Sequence, residues 1–291
     1  YVREILCGLA AAGALEYEPD EEIFRLPPEH ALFLASEVSP YFMGGWFDML
    51  PSTMTKIDDL AEATRNGGGV GFDEYGETII RGIDRGNAPS QRVFLVAKWL
   101  PAVPGLVAKL EEGANVADIG CGGGTAAILM AQAFPRSIVT GFDVSAESLE
   151  LARSRSEGVD NVSFKKSSAD AIPLEPPYDL VTAFDVIHDL ADPLAALVRI
   201  RESLAPDGRF LMMEPNLSSH LEENLHDLGA MVYGISTLHC MTQSLAQGGE
   251  GLGAAWGREM AKDYAGRAGF ASIEELKDIT NRFSAFYLLT S

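Results

Sequence analysis

Glycines crowd into the segment Val116–Thr125, which reads Val-Ala-Asp-Ile-Gly-Cys-Gly-Gly-Gly-Thr and begins as an apolar strand. Glycine permits a tight turn and lets a ligand approach bare backbone, and the free amide groups at the start of a following helix attract negative charge. Ligands of open α/β sheets bind at the carboxyl ends of the strands, where this loop would lie. The segment therefore predicts a cofactor site.

The carboxylate of Asp118, two residues before the first glycine, indicates which kind of cofactor the loop binds. The dinucleotide pattern Gly-x-Gly-x-x-Gly, started at Gly120, requires a small residue at position 125 and finds Thr125. Started at Gly122 it meets Ala127, but the match then lies inside the following helix. Dinucleotide-binding loops usually carry an apolar residue at the position of Asp118, whereas a carboxylate there suits a cationic ligand. The loop therefore favours a cationic cofactor over NAD.

Two further carboxylates follow the next two apolar strands. Asp143 lies at the end of one strand, in Gly-Phe-Asp-Val-Ser, and Asp170 lies shortly after the other, in Ser-Ala-Asp-Ala-Ile. Either residue alone would more often be a helix cap or a turn residue. Together with Asp118 they stand in order at the ends of three successive strands, which indicates one ligand site.

Strands and helices alternate from residue 115 onwards, and these elements must position the three carboxylates. Apolar runs predict strands at Asn115–Ile119, Ser137–Phe142, Val162–Lys166, Tyr178–Phe184, Arg209–Met213, Ser272–Ile279 and Ala285–Thr290. Helices are predicted at Thr125–Phe134, Ala146–Glu157, Pro193–Leu204 and Gly257–Ala268. This alternation predicts an α/β fold with a doubly wound, seven-stranded, mostly parallel sheet and an antiparallel edge. A long polar and helical insertion is expected at residues 216–255.

The first 112 residues predict a separate, smaller unit. A helix over Val2–Ala14, a hairpin through Leu15–Tyr17 and Ile23–Leu26, and a helix after Pro27 together have the shape of a winged helix. Residues 41–112 are mostly helical and rich in aromatic side chains, as expected of a lid or a dimer face. We therefore predict two domains, residues 1–112 and residues 113–291.

The charge balance limits the partners of the chain. It has 291 residues with 22 Lys and Arg against 42 Asp and Glu, a formal net charge of −20. Such a surface repels phosphate backbones and anionic lipids, and no basic patch compensates for it, so neither a nucleic-acid nor a membrane partner is expected. The three cysteines are far apart and form no Cys-x-x-Cys pair, which argues against a zinc or redox site and favours a cytoplasmic location.

The start of the chain imitates a secretory signal, because Arg3 precedes the apolar stretch Leu6–Leu15. Glu4 weakens the basic flank, and the apolar residues have helical spacing, so we expect a helix instead. The chain opens with Tyr1, and we expect that residues preceding it are missing. No apolar run approaches the ~20 residues needed to span a bilayer.

From about residue 115 to the end, these motifs together resemble the class I S-adenosylmethionine-dependent methyltransferases. The resemblance implies that Asp118 and the backbone of Gly120–Gly124 hold the methionine part of S-adenosylmethionine. It implies that Asp143 accepts hydrogen bonds from the ribose hydroxyls and that Asp170 accepts one from the adenine amino group. The cofactor-binding residues implied are Asp118, Gly120, Cys121, Gly122, Gly124, Asp143, Val144, Ser145, Ala169, Asp170, Ala171, Phe184 and Asp185.

The segment Phe-Asp-Val-Ile-His-Asp-Leu-Ala-Asp at residues 184–192 is similar to the His-Asp-Trp-x-Asp segment of winged-helix small-molecule O-methyltransferases, with Leu190 in place of Trp. The resemblance implies that His188 is the general base, that Glu214 orients it, and that Glu250 is a second flanking acid. A structural role for His188 at a helix start stays open. The N-terminal unit resembles the dimerising winged helix of the same family, in particular an actinobacterial branch, which implies a homodimer.

The insertion carries His220, His226 and His239 among methionine and aromatic residues, a composition that fits a pocket for a small, partly apolar acceptor. Some winged-helix relatives that methylate α-keto acids at carbon hold iron with histidines in this region, but no histidine pair here has helical spacing, so no metal is expected. The leading hypothesis is methyl transfer to oxygen of a small organic acceptor. Carbon methylation with a bound metal, a ligand-sensing winged-helix regulator and a NAD-dependent oxidoreductase remain as alternatives.

Overall fold

The computed structural model describes residues 1–291 and contains nine strands and twelve α-helices. The strands are β1 (Glu16–Glu18), β2 (Ile23–Arg25), β3 (Asn115–Ile119), β4 (Ile138–Asp143), β5 (Val162–Lys166), β6 (Tyr178–Phe184), β7 (Leu204–Pro215), β8 (Ser272–Glu275) and β9 (Ser284–Thr290). The helices are α1 (Val2–Ala11), α2 (Pro28–Leu34), α3 (Gly44–Met54), α4 (Ile57–Asn66), α5 (Glu77–Phe94), α6 (Leu106–Glu112), α7 (Thr125–Ala133), α8 (Ala146–Arg155), α9 (Pro193–Ser203), α10 (Asp227–Ile235), α11 (Met241–Ala246) and α12 (Gly257–Arg267).

Seven strands form one sheet in the order β5-β4-β3-β6-β7-β9-β8. The strands from β5 to β7 are parallel to their neighbours, while β9 runs antiparallel to both β7 and β8. The predicted α/β fold with a seven-stranded, mostly parallel sheet is therefore confirmed. The strand order reverses between β3 and β6, which is the position where open α/β sheets bind ligands.

An apolar cluster covers each face of the sheet, and successive side chains of a strand point alternately into the two clusters. Val116 and Leu180 belong to one apolar cluster together with residues of α7, while their neighbours Ala117 and Val181 belong to the other together with residues of α9 and α12. Strands buried in this way read as continuous apolar runs in the sequence. This is why β3 and β6 begin and end at the predicted residues, as does the largely exposed edge strand β5.

The N-terminal unit begins with α1, the antiparallel hairpin of β1 and β2, and α2. Helix α1 ends at Ala11, three residues before the predicted end, β1 is shifted by one residue, and β2 begins as predicted but ends one residue early. Neither α1 nor α2 contains a buried residue. Helix α5, by contrast, packs against both α7 and α8, and Leu95, Trp99 and Leu100 after it belong to the apolar cluster on one face of the sheet.

No single helix of the chain is long and apolar enough to cross a membrane, although the bent pair Glu77–Ala102 and Leu106–Glu112 meets the length and composition criterion together.

Candidate active site

A cavity of about 470 Å³ opens at the carboxyl ends of β3, β4, β5 and β6, where the strand order reverses. Asp118, Asp143 and Asp170 all line it, as the positions of these residues at three successive strand ends predict. The remaining walls come from α5, from the loop after β6 and from α11. Three parts of the chain that are distant in sequence therefore enclose one space.

The glycine loop after β3 owes its shape to three glycines with positive φ. A Cβ at Gly120 (φ 62°) would lie 2.5 Å from Val186, and one at Gly124 (φ 78°) would lie 2.8 Å from Ala152, so both positions exclude larger residues. Gly122 (φ 52°) has nothing within 4 Å of its added Cβ, and it lines the cavity. The first and last of these glycines thus permit close packing, while the middle one leaves its backbone open to a ligand.

Asp118 is buried at the carboxyl end of β3 with only half of its carboxylate satisfied. Its Oδ1 accepts a hydrogen bond from Thr182 Oγ1 at 2.7 Å, while its Oδ2 is buried and has no partner. Burial, assisted by the nearby charge of Asp143, raises the pKa of Asp118 to about 7. A buried carboxylate oxygen without a donor is costly unless a cation or a donor approaches it. The site thus fits a positively charged ligand.

Asp143 joins the loop after β4 to the glycine loop. Its Oδ2 accepts a hydrogen bond from the Gly122 amide and its Oδ1 accepts one from the Ser145 amide, both at 2.8 Å. Each oxygen keeps a second lone pair for a further donor. Burial raises the pKa of this carboxyl above its ordinary value, although the amide hydrogen bonds oppose the shift. The neighbouring Val144 is half exposed and lines the cavity beside it.

All but three of the predicted cofactor-binding residues line this cavity, the exceptions being Gly124, Ser145 and Ala171. Gly124 and Ser145 are the residues that precede α7 and α8, and the Ser145 hydroxyl caps α8 by accepting a hydrogen bond from the Ser148 amide at 3.2 Å. Cys121 lines the cavity, and burial raises the pKa of its thiol well above the ordinary value, so the group is not an activated nucleophile.

His188 is buried behind the cavity wall and is not among the residues that line the cavity. Its Nδ1 lies 2.5 Å from Glu214 Oε2, the contact expected for an orienting acid, and its Nε2 lies 3.1 Å from Asp189 Oδ1. Burial opposes the protonated form, but the carboxylates of Asp189 and Glu214 outweigh it and raise the pKa of His188 well above its usual value. The imidazole thus bridges two carboxylates, of which Asp189 lines the cavity.

The structure does not bring Glu250 to His188. The Glu250 carboxylate accepts a hydrogen bond from the Tyr264 hydroxyl, and the residue lies outside the cavity. Glu214, in contrast, accepts hydrogen bonds from the Ile187 amide at 3.0 Å and from Trp256 Nε1 at 3.1 Å as well as contacting His188. The buried Glu214 carboxylate therefore anchors the turn after β6 through its contacts with Ile187, His188 and Trp256.

The histidine that does line the cavity is His239, which the sequence suggested only as one of several histidines in the insertion. It lies in a π-helical turn over Ser236–Cys240, an irregularity that is frequent at functional sites. The rings of Phe72 and Tyr75 pack beside it, and its buried Nδ1 has no hydrogen-bond partner. Burial lowers the pKa of His239 despite the nearby Asp189, so the ring is neutral near pH 7.

Helix α5 supplies a wall of the cavity that sequence reasoning missed. Its residues Ile80, Ile83, Asp84, Asn87 and Gln91 line the cavity. Asp84 accepts a hydrogen bond from Thr125 Oγ1 at 3.2 Å and forms an ion pair with Arg155 at 2.8 Å. These residues are three or four positions apart and so lie on one face of the helix. This spacing is the sequence signal that could have identified them.

Asp185 is a further strained residue at the cavity. It directly follows β6, adopts φ 59° although it is not glycine, and lines the cavity. Burial raises the pKa of its carboxyl to about 7. Non-glycine residues held in this region cost about 1–3 kcal/mol and cluster at functional sites.

A second arrangement near the cavity concerns metal binding, which the sequence does not lead us to expect. One potential ligand atom from each of His188, Asp189 and Cys240 lies within 4.8 Å of the other two. Asp189 Oδ1 contacts His188 Nε2 at 3.1 Å, and the nearby His239 Nδ1 has no hydrogen-bond partner. The donor set of nitrogen, oxygen and sulfur is chemically suited to a transition metal.

Comparison with known proteins agrees with this geometry. The family profile described as "Methyltransferase domain" matches residues 110–264, which is more than half of the chain. Trans-aconitate 2-methyltransferase of Methylobacterium nodulans is 35% identical over 144 residues, which cover 50% of this chain and 52% of that protein. The chain thus spans about half the length of this relative.

Two solved structures cover nearly the whole chain. Human N-acetylserotonin methyltransferase, in complex with SAM, matches 99% of this chain and 82% of its own with a TM-score of 0.63 at 21% identity. The O-methyltransferase NcsB1 from neocarzinostatin biosynthesis, in complex with S-adenosylmethionine and 2-hydroxy-5-methyl naphthoic acid, matches 99% of this chain and 84% of its own with a TM-score of 0.64 at 16% identity. At these identities the likeness shows that the fold is shared, including its N-terminal helical part.

Proposed function

The chain belongs to the methyltransferase-domain family, and on this premise we propose that it transfers a methyl group from S-adenosylmethionine to a small organic acceptor, at oxygen. The observation that carries the proposal is the unpartnered, buried Oδ2 of Asp118 beside a glycine loop in a cavity that Asp143 and Asp170 also line. A sulfonium donor with an α-ammonium group provides the positive charge that this oxygen lacks.

The residues present fit this donor. Asp118 and the amides of the glycine loop would hold its methionine part, Asp143 its ribose hydroxyls, and Asp170 its adenine amino group. Val144 is an apolar surface against which the adenine ring can pack. Thr125 Oγ1 is engaged by Asp84, so α5 contributes to the same end of the site.

When bound, the donor supplies a methyl group that its sulfonium already activates, so the chain's own contribution is chiefly positional. Holding two reactants in line can contribute as much as ~7–11 kcal/mol to lowering the barrier. The glycine loop fixes one side of the cavity, while Asp185, Asp189 and α11 form the other. Helix α5 forms part of the cavity wall.

A hydroxyl acceptor must also lose a proton, and we propose that a histidine assists. The expectation that His188 is this base remains a prediction; the geometry favours His239 for direct contact, because His239 lines the cavity and His188 does not. In this proposal His239 takes the acceptor proton, and His188, anchored by Glu214, holds Asp189 in the cavity wall.

Replacing His239 by alanine is expected to lower turnover by roughly a hundredfold, the lower end of what a positioned base contributes, and to leave the affinity for S-adenosylhomocysteine unchanged. Added imidazole should restore part of the rate, because it can occupy the vacated space as a base. The matched control His220→Ala, at an exposed position outside the cavity, should have no effect.

The opposite result would make His188 the base. In that case His188→Ala would keep its fold, abolish turnover and be rescued by imidazole, whereas His239→Ala would neither abolish turnover nor respond to imidazole.

The proposed function itself is tested by calorimetry of the full chain with S-adenosylhomocysteine and with NAD. We expect micromolar binding of S-adenosylhomocysteine and none of NAD. Binding of NAD alone would make the chain an oxidoreductase and would overturn the proposal.

A second candidate function is carbon methylation of an α-keto acid with a bound metal, and the grouping of His188, Asp189 and Cys240 favours it. These three residues would hold the metal, which would supply Lewis-acid activation of the acceptor's keto group. Elemental analysis of the purified chain, and of its Asp189→Asn variant, tests this candidate. Stoichiometric metal that the variant loses would support it, and metal-free protein with full O-methylation activity would remove it.

We also propose that residues 1–112 and 113–291 form two units and that the first mediates a homodimer. The exposed apolar side chains of α1 and α2, among them Val2, Ile5, Leu32 and Phe33, support a protein partner for this surface. A ligand-sensing regulator that contacts DNA is less well supported, since the turn of the hairpin is acidic. Light scattering tests the dimer, and a monomer at micromolar concentration would contradict it.

A further inference from the structure

The side chains that line the cavity are unbalanced in charge. Seven of them are aspartates, and neither lysine nor arginine is among them; the aspartates are Asp84, Asp118, Asp143, Asp170, Asp185, Asp189 and Asp192. His239 is the one further titratable side chain apart from Cys121, and it is held neutral by burial. This imbalance goes beyond what binding of the proposed donor requires.

Several of these charges have partners already. Asp84 is paired with Arg155, and Asp189 contacts His188. The donor of the proposed function, on which this inference rests, carries one net positive charge from its sulfonium, ammonium and carboxylate groups, and Asp118 is the residue placed to receive it. Asp143 and Asp170 lie at the nucleoside end of that donor.

The other carboxylates of the lining have no lysine or arginine beside them in the cavity wall, although His188, whose pKa is raised, contacts Asp189 from behind the wall. They are Asp185, Asp189 and Asp192, and the uncharged Gln243 and Gln247 of α11 and its following residue line the same cavity. Gln243 Nε2 donates to Asp189 Oδ2 at 3.1 Å, and Gln247 Nε2 donates to the Gln243 carbonyl at 3.2 Å. Each of these two amides has one N–H engaged with the protein, and the other side-chain amides of the lining belong to Asn87 and Gln91, so a carboxylate ligand would meet uncharged donors and no lysine or arginine.

We infer that the methyl acceptor carries no negative charge, and that cationic acceptors bind more tightly than neutral ones of the same size. An anionic acceptor would lose its hydration in this cavity, meet no guanidinium or ammonium group, and lie among carboxylates of its own sign. Tricarboxylates and benzoate-like acids are thereby excluded, whereas phenols, neutral amides and amines are accepted. The acceptor class thus differs from the acidic compound in the name of the trans-aconitate relative.

The experiment screens small fragments against the full chain saturated with S-adenosylhomocysteine, after treatment with a chelator and verification that no metal remains. The library holds equal numbers of anionic, neutral and cationic aromatic fragments matched in size, and saturation-transfer NMR detects binding. We expect anionic fragments to be found at least about fivefold less often than cationic ones. Equal or preferential binding of anions, or binding of no fragment at all, would overturn the inference.

A pair of variants shows whether charge in the cavity is the cause. Gln247→Lys places a cation on the cavity wall and should raise the affinity of anionic fragments by about tenfold. Ser154→Lys makes the same change in net charge at an exposed position that does not line the cavity, and it should change nothing. If both variants behave alike, the net charge of the chain and not the cavity selects the ligand, and the inference is wrong.

Failure of the proposed function is distinguishable from failure of this inference. Absence of S-adenosylhomocysteine binding in calorimetry would remove the donor, while the charge preference of the cavity would still be measured on the chain alone.

Discussion

Replacing Asp118 by asparagine is expected to weaken binding of S-adenosylmethionine by roughly a hundredfold, since removing one partner of a buried charge pair costs about 2–5 kcal/mol. Asparagine has the same shape, and its oxygen can still accept the hydrogen bond from Thr182. The loss is therefore that of charge alone. Asp170→Asn makes the same chemical change in the same cavity but at an exposed residue, and its effect should be at most about tenfold.

The pH dependence of binding follows from the same carboxyl. Burial raises the pKa of Asp118 to about 7 in the free chain, and a cation bound beside it must lower that value. Binding below pH 7 therefore releases a proton, and affinity for the cationic donor should fall by up to about tenfold per pH unit as the pH decreases below about 7. Calorimetry in buffers of different ionisation enthalpy measures the released proton, and Asp118→Asn should release none.

The stability of the free chain should change in the opposite direction. The folded chain holds the Asp118 proton up to about pH 7, whereas the unfolded chain releases it near the ordinary value of 3.8, so this group makes the free energy of unfolding decrease as the pH rises between those values. Above pH 7 the Asp118→Asn variant should thus be at least as stable as the parent chain. A variant that loses both affinity and stability would show that Asp118 is structural.

Replacing Glu214 by alanine is expected to lower the free energy of unfolding by about 3–5 kcal/mol, the usual cost of breaking a buried ion pair by removing one partner. Its carboxylate is almost fully buried, and it serves His188, the Ile187 amide and Trp256 Nε1. The substitution leaves all three donors without an acceptor. Chemical denaturation followed by tryptophan fluorescence measures the change.

The matched control is Glu202→Ala on the exposed side of α9, which should change stability by no more than about 0.5 kcal/mol. Glu214→Gln should fall between the two, because an amide oxygen can serve one of the donors while its NH₂ group repels another. If Glu214→Ala costs no more than Glu202→Ala, the turn after β6 is held by packing, and the proposed anchoring of Asp189 fails with it.

The positions of the three cofactor carboxylates could be predicted from sequence for a simple physical reason. A parallel sheet brings the carboxyl ends of its strands to one edge, so the residues after β3, β4 and β5 must converge whatever the details of packing. The bounds of β3 and β6 followed from apolar runs that end before a glycine or an aspartate, whereas β7 begins five residues before its predicted start and β8 ends four residues before its predicted end. Neither inference needed knowledge of how the faces of the sheet are covered.

The roles of His188 and Asp189 could not be predicted in the same way. They are neighbours in one short turn and contact each other, yet only Asp189 lines the cavity. Glu214 holds His188 and accepts a hydrogen bond from Trp256, and both of these residues come from distant parts of the chain. The place of His239 depends on packing against Phe72 and Tyr75 of the N-terminal unit, which no local pattern encodes.

Helix α5 forms part of the cavity wall and belongs to the proposed N-terminal unit, and this would have a thermodynamic consequence. Any ligand that fills the cavity contacts both units, so its binding energy also resists their separation. Binding of a ligand in the cavity and attachment of the N-terminal unit are then linked equilibria. Slower amide hydrogen exchange along Glu77–Phe94 would therefore measure ligand binding as directly as a titration does. Contacts with the ligand would then add to the apolar packing of Leu95, Trp99 and Leu100 against the sheet, which already joins this part of the chain to it.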